Sequence, residues 1–91
     1  MNGSAGDPQI KELREQLTAN DVRIVEAFNT RLELVARLKR VKEERGFDFL
    51  DPDREAWLLA HLEESNRGPL SPEGLRELYT ELLDLTKREV S

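Results

Sequence analysis

Four basic residues of this chain have types and spacings that suit the binding of an anion. Arg14, Arg31, Lys42 and Arg54 are separated by 17, 11 and 12 residues. At about 100° per residue, a helix brings Arg31 and Lys42 to within about 20° of one direction. Both fall on a stripe of apolar residues, where a cation is costly unless an anion meets it. The pattern predicts either pairing with protein carboxylates or a site for a dianionic ligand.

Composition excludes several classes of protein. The chain has 91 residues and no cysteine, so we expect one domain without disulfides or a thiolate metal site. Its single histidine, His61, cannot form a histidine-based metal site alone. The net charge of −5 argues against general nucleic-acid binding, which needs a basic face. No apolar run reaches the roughly 20 residues needed to cross a bilayer, and no export signal is visible, so we expect a soluble cytoplasmic protein.

Three helical segments are predicted, and together they indicate an all-α fold. An Asp-Pro or Ser-Pro pair opens each segment, because the first residue can cap the helix and proline fits its first position. The segments are residues 8–45, 52–66 and 72–91, separated by glycine or proline. We expect residues 1–7 to be a disordered N-terminal segment and residues 8–91 to form one domain.

The first segment is unusually long for a chain of this size. About 38 residues of helix would extend roughly 57 Å, which exceeds the width of a 91-residue globule. Its apolar stripe therefore needs cover from another chain. The stripe consists of Ile10, Leu13, Leu17, Ile24, Phe28, Val35 and Leu38.

The basic residues and their neighbours resemble the all-helical chorismate mutases. The matching residues are Leu13-Arg14, Asp21, Arg31, Lys42 and Asp51-Pro52-Asp53-Arg54-Glu55. The resemblance covers about residues 10–90 and implies a protomer of a long, a short and a medium helix. It also implies that two protomers intertwine as a homodimer through their first helices. The implied reaction is the Claisen rearrangement of chorismate to prephenate, which requires no metal, nucleophile or redox cofactor.

The resemblance also implies a role for each site residue. Arg31 and Arg54 would hold the substrate carboxylates, because guanidinium groups suit carboxylates through paired hydrogen bonds. Lys42 would reach the ether oxygen. Glu55, together with the backbone near Asp51, would hold the ring hydroxyl.

Arg14 would enter the site from the other protomer. It lies about 100° around the helix from the Arg31 direction and roughly 25 Å away along the axis. A single straight helix could not bring Arg14 to the site of its own chain, whereas a neighbouring antiparallel helix could.

The last predicted helical turn departs from the family pattern. Family members carry serine near the position of Thr86, and glutamine or glutamate four residues later, as a second partner of the ether oxygen. That second position is Val90, which cannot donate a hydrogen bond, and the sequence leaves open whether the adjacent Glu89 replaces it. This departure predicts a mutase that is weak alone. Members with similarly altered tails gain activity by docking onto DAHP synthase, which makes that enzyme a candidate partner.

Two other functions remain open from the sequence. An isochorismate-pyruvate lyase has the same fold and cations, but Asp51 and Glu55 argue against it because that branch lacks the hydroxyl-binding glutamate. The other is a non-enzymatic helical module, either a pairing domain or a degenerate mutase retained for regulation. The four cations argue against a pure pairing domain, whereas Val90 is compatible with a degenerate mutase. The same charges could also be surface ion pairs and snorkelling side chains without a ligand.

Overall fold

Three helices at the predicted places make up the computed structural model, which describes residues 6–91. Within this range the chain forms α1 (Pro8–Glu44), α2 (Pro52–Ser65) and α3 (Pro72–Val90), and no strand. The predicted all-α protomer, with a long, a short and a medium helix, is therefore confirmed. Of residues 1–7, which were predicted to be disordered, residues 1–5 lie outside the described residues. No helix within residues 6–91 has the length and apolar character needed to span a membrane.

The chain divides between Glu33 and Leu34 into two units, which are described separately. The N-terminal unit contains the first part of α1. As predicted, Asp7 caps this helix, because its carboxylate Oδ1 accepts the backbone N–H groups of Gln9 at 2.8 Å and Ile10 at 3.2 Å. Asp7 therefore fixes the first turn of α1.

Most large apolar side chains of the N-terminal unit are exposed in the isolated chain. The exposed fraction lies between 51% and 61% for each of Leu13, Leu17, Val22, Ile24 and Val25. No residue of α1 is buried. Leu13, Leu17 and Ile24 fall on one stripe of α1, and exposed apolar surface of this kind is typical of an interaction site.

The C-terminal unit contains the buried core, which α3 supplies. Leu75, Leu83 and Thr86 are 6%, 9% and 4% exposed. On the surface, the Arg76 Nη2 atom lies 2.6 Å from the Glu63 Oε1 atom and links α3 to α2. This hydrogen bond raises the pKa of Arg76 above its ordinary value. The Arg76 side chain is 67% exposed, so the pair contributes little to stability.

A glycine turn ends α1 and reverses the chain towards α2. The N–H of Phe47 donates to the Lys42 carbonyl at 2.8 Å, and the N–H of Gly46 donates to the Glu43 carbonyl at 3.3 Å. These two bonds form a Schellman motif, with Gly46 in the left-handed region at φ 73°. Glycine adopts this conformation without a Cβ clash, which makes the reversal possible.

Asp51 begins α2 and should contribute measurably to stability. Its carboxylate Oδ1 accepts the backbone N–H of Arg54 at 3.1 Å. We expect Asp51→Ala to lower the free energy of unfolding by about 1 kcal/mol, because an N-terminal amide loses its acceptor. Chemical denaturation at a fixed protein concentration measures this change. Asp51→Asn is the matched control, since asparagine caps equally well, and equal stability of the parent and Asp51→Ala would contradict the prediction.

Candidate functional site

Lys42 occupies the last turn of α1, and the following connection folds around it. Its backbone carbonyl accepts from Phe47, and its side-chain Nζ donates to the carbonyl of Phe49 at 3.1 Å. Lys42 is half-buried. Among the described residues, no carboxylate lies within ion-pair distance of this ammonium group. The neutral carbonyl of Phe49 holds the Lys42 ammonium in place. Because an ammonium has three N–H donors, the remaining N–H groups can bind an anionic ligand.

Asp51 places two further charged residues in the first turn of α2. Besides the bond from its carboxylate to Arg54, its backbone carbonyl accepts the N–H of Glu55 at 3.1 Å. The Glu55 carboxylate is in turn held by Lys87 of α3, with Nζ and Oε1 2.9 Å apart. The two side chains are 37% and 34% exposed, so the pair orients the carboxylate more than it stabilises the fold.

Arg54 forms one end of a stack along α2. Its guanidinium Cζ lies 4.2 Å from the ring centroid of Trp57, a distance suited to a cation–π contact. The ring of Trp57 is parallel to that of His61, with centroids 4.9 Å apart and an interplanar angle of 7°. Spacings of three and four residues place all three side chains on one helical face.

The last turn of α3 is helical through Val90. Val90 is half-buried and the adjacent Glu89 is exposed, so the valine faces the packed side of the helix. The Thr86 hydroxyl donates to the Leu82 carbonyl at 2.7 Å. The carbonyl of Val90 accepts from Lys39 of α1, whose Nζ lies 3.0 Å away.

The family model for chorismate mutase type II matches residues 13–90 of this chain. The chain belongs to the chorismate mutase type II family. Two solved structures of chorismate mutase from Thermus thermophilus are similar to it throughout. The form II structure superposes with a TM-score of 0.84 at 30% sequence identity. The alignment covers 88% of this chain and 91% of the Thermus chain. The form I structure has a TM-score of 0.83 at 31% sequence identity, and the alignment covers 86% of this chain and 98% of the Thermus chain.

Two curated relatives of this chorismate mutase type II chain are longer proteins with two activities. The bifunctional chorismate mutase/prephenate dehydratase of Stutzerimonas stutzeri is 34% identical over 80 residues, which are 82% of this chain and 22% of that protein. The Pseudomonas aeruginosa protein of the same description is 32% identical over 84 residues, or 87% of this chain and 23% of its own. The chain thus spans about a fifth of the length of these relatives.

The structure brings some of the predicted site residues of this chorismate mutase type II chain close together. Asp51, Arg54 and Glu55 are linked by hydrogen bonds, and Lys42 is fixed by the connection that leads to them. Arg14, which is exposed, and Arg31, which is half-buried, belong to the N-terminal unit. The roles assigned to these residues, and to Thr86, Glu89 and Val90, stay predictions.

Sequence reasoning missed two lysines that the structure connects to the site. Lys87 holds Glu55, and Lys39 reaches Val90. In both cases a residue of α3 meets a residue far away in the sequence, so no local spacing pointed to the contact. By contrast, the helical spacing of Arg54, Trp57 and His61 is visible in the sequence and could have predicted their stack.

Proposed function

We propose that this chain catalyses the rearrangement of chorismate to prephenate. One observation carries the proposal beyond family membership. An ammonium, a guanidinium and a carboxylate are each held in place within 14 residues of one another in sequence: Lys42 by the Phe49 carbonyl, Arg54 by the Trp57 ring and Glu55 by Lys87. Chorismate presents matching groups, namely two carboxylates, an ether oxygen and a ring hydroxyl.

The proposed reaction is unimolecular and needs only positioning and charge stabilisation. The ether C–O bond breaks while a new C–C bond forms, so no atom or proton is gained or lost. Arg31 and Arg54 bind the two carboxylates and select the reactive, chair-like conformer, which removes part of the entropic barrier. Lys42 donates to the ether oxygen as negative charge develops on it, which is the interaction that lowers the barrier.

The remaining predicted residues define the rest of the pocket. Glu55 accepts the ring hydroxyl, with the backbone near Asp51 as its neighbour. The Oδ1 atom of Asp51 caps α2, and the proposal assigns the second contact of the hydroxyl to the backbone near Asp51. The Lys87 contact supports this assignment, because it holds Glu55 through one oxygen atom and leaves the other as an acceptor. Thr86 is proposed as a further hydroxyl at the α3 side.

We infer that the active form is an intertwined homodimer paired through α1. What supports the dimer is the exposure of large apolar side chains of the N-terminal unit, at 51–61% for Leu13, Leu17, Val22, Ile24 and Val25. In such a dimer each site receives Arg14 from the opposite chain. The symmetry of a two-fold dimer then provides two equal sites.

The dimer should be visible in solution and sensitive to a charge on the apolar face of α1. Sedimentation should report two chains per particle at micromolar concentration. Leu17→Asp should dissociate or unfold that particle, because Leu17 is 61% exposed in the isolated chain and lies in the proposed interface, where a charge would be buried. Gln16→Asp is the matched control on the adjacent exposed position. A parent protein that sediments as a folded monomer would rule the dimer out.

The activity itself is tested by following chorismate loss and identifying the product. Prephenate is the expected product, and incubation with isochorismate should release no pyruvate. Pyruvate release would instead identify the lyase, and a folded protein inactive on both substrates would identify a degenerate module. A parallel reaction with a DAHP synthase tests the proposed partner, which should raise kcat if docking completes the site. We likewise propose, from the resemblance to the family, that a DAHP synthase is a partner and that the protein is cytoplasmic.

A further inference from the structure

Lys39 is a half-buried lysine of α1 that the family pattern does not use. It precedes Lys42 by three residues, so both side chains project from neighbouring turns on similar faces. Its ammonium Nζ lies 3.0 Å from the carbonyl oxygen of Val90 and 5.6 Å from the ring centroid of Phe49. Lys39 therefore reaches from α1 to the last turn of α3.

Phe49 is a common contact of two ammonium groups. Its carbonyl accepts from Lys42, and its ring lies beneath Lys39. Within residues 6–91, neither ammonium is within ion-pair distance of a carboxylate, although the chain carries 19 acidic residues against 14 lysines and arginines. Two half-buried cations with neutral partners form a local excess of positive charge, and this favours binding of an anion.

We propose that Lys39 is a second ammonium of the substrate site and supplies the donor that Val90 lacks. This inference rests on the proposed mutase activity. Val90 stands where the family carries the side chain that donates to the ether oxygen, and the Lys39 ammonium is bonded to the backbone carbonyl of Val90. An ammonium has three N–H donors, and the Val90 carbonyl takes one of them. We expect another of these N–H donors to reach the ether oxygen of the substrate, which gains negative charge beside Lys42 in the transition state.

A purely structural role for Lys39 makes different predictions. A cation near a helix C-terminus stabilises that end through the helix dipole. If Lys39 only fastens the last turn of α3, its removal should increase amide exchange around Thr86 and Val90. In that case a new donor at Val90 would not restore any lost activity.

The deciding experiment compares Lys39→Met, Val90→Gln and the double variant in steady-state kinetics of the full chain. Lys39→Met keeps the length of the side chain and removes the ammonium. We expect it to lower kcat by about 100-fold, in the range of one lost oxyanion donor, with a smaller change in KM. Val90→Gln should change kcat by less than about threefold in the parent background, yet raise it by at least about tenfold in Lys39→Met, because it restores the donor.

Two controls and one replacement variant keep the outcomes distinct. Arg40→Met removes a charge from an exposed position of the same turn and should leave kcat unchanged. Lys39→Arg keeps the charge and should retain most of the activity. If Lys39→Met does not fold, Lys39→Leu takes its place. A folded dimer in which the loss of Lys39 leaves kcat within about threefold overturns the proposal, as does a loss that Val90→Gln fails to rescue.

Failure of the underlying function would look different. A parent chain that leaves chorismate unchanged overturns the mutase activity before any variant is compared. A parent that produces prephenate while Lys39→Met remains fully active overturns only the role of Lys39.

Discussion

Lys42→Ala should lower kcat/KM by about 100-fold or more, equivalent to a loss of about 3 kcal/mol of transition-state stabilisation. The ammonium is held by the carbonyl of Phe49 at the end of α1, so it is positioned before the substrate arrives. Its interaction with the ether oxygen strengthens as negative charge develops there. The loss should therefore appear mainly in kcat, and steady-state kinetics at one pH measures it.

The fold should tolerate the Lys42→Ala change. The ammonium donates one hydrogen bond to a neutral carbonyl, and a bond with one charged partner contributes about 1.5–3 kcal/mol. Denaturation of both proteins at one concentration checks this, and Arg40→Ala is the matched control on the same helix. A folded Lys42→Ala dimer whose kcat/KM stays within about tenfold of the parent would show that the assigned role is wrong.

Two inactive variants should restore activity when they share a dimer. Arg14→Ala and Lys42→Ala should each be nearly inactive alone. In a mixed dimer of the proposed kind, in which Arg14 comes from the opposite chain, one site lacks both groups and the other keeps both. Equal coexpression makes half of the dimers mixed, each with one intact site, so activity should reach about a quarter of the parent value.

The matched control for this experiment pairs Arg31→Ala with Lys42→Ala. These two residues belong to the same chain in each proposed site, so every site of the mixed dimer lacks one of them. That mixture should remain inactive. Equal activity in the two mixtures would contradict the exchange of Arg14 between protomers, as would full activity of Arg14→Ala alone.

Local sequence signals predicted the helices and the cluster at the start of α2. The caps at Asp7, Asp51 and Ser71 act within three residues, so their effect is readable from the sequence. The register of Arg54 and Glu55 follows from the Asp51 cap for the same reason. Local structure depends on neighbours in the chain, and those neighbours are known from the sequence.

The contacts of α3 could not be predicted in the same way. The bond between Lys39 and Val90 joins residues that are 51 positions apart. Whether they meet depends on how the helices of the C-terminal unit pack, which no spacing within one helix determines. The absence of a donor at Val90 was visible, whereas the lysine beside it became visible only in three dimensions.

The stack of Arg54, Trp57 and His61 gives this protein an optical probe of its own site. Trp57 is the only tryptophan of the chain and is 51% exposed, so its emission can be followed without interference from another indole. A guanidinium on one face and an imidazole on the other both influence that emission. On the proposed role of Arg54, its guanidinium turns from the indole towards a substrate carboxylate, and we expect the fluorescence to change with it. Binding of a non-reactive dicarboxylate can thus be titrated directly, in the parent and in variants too slow for a kinetic assay.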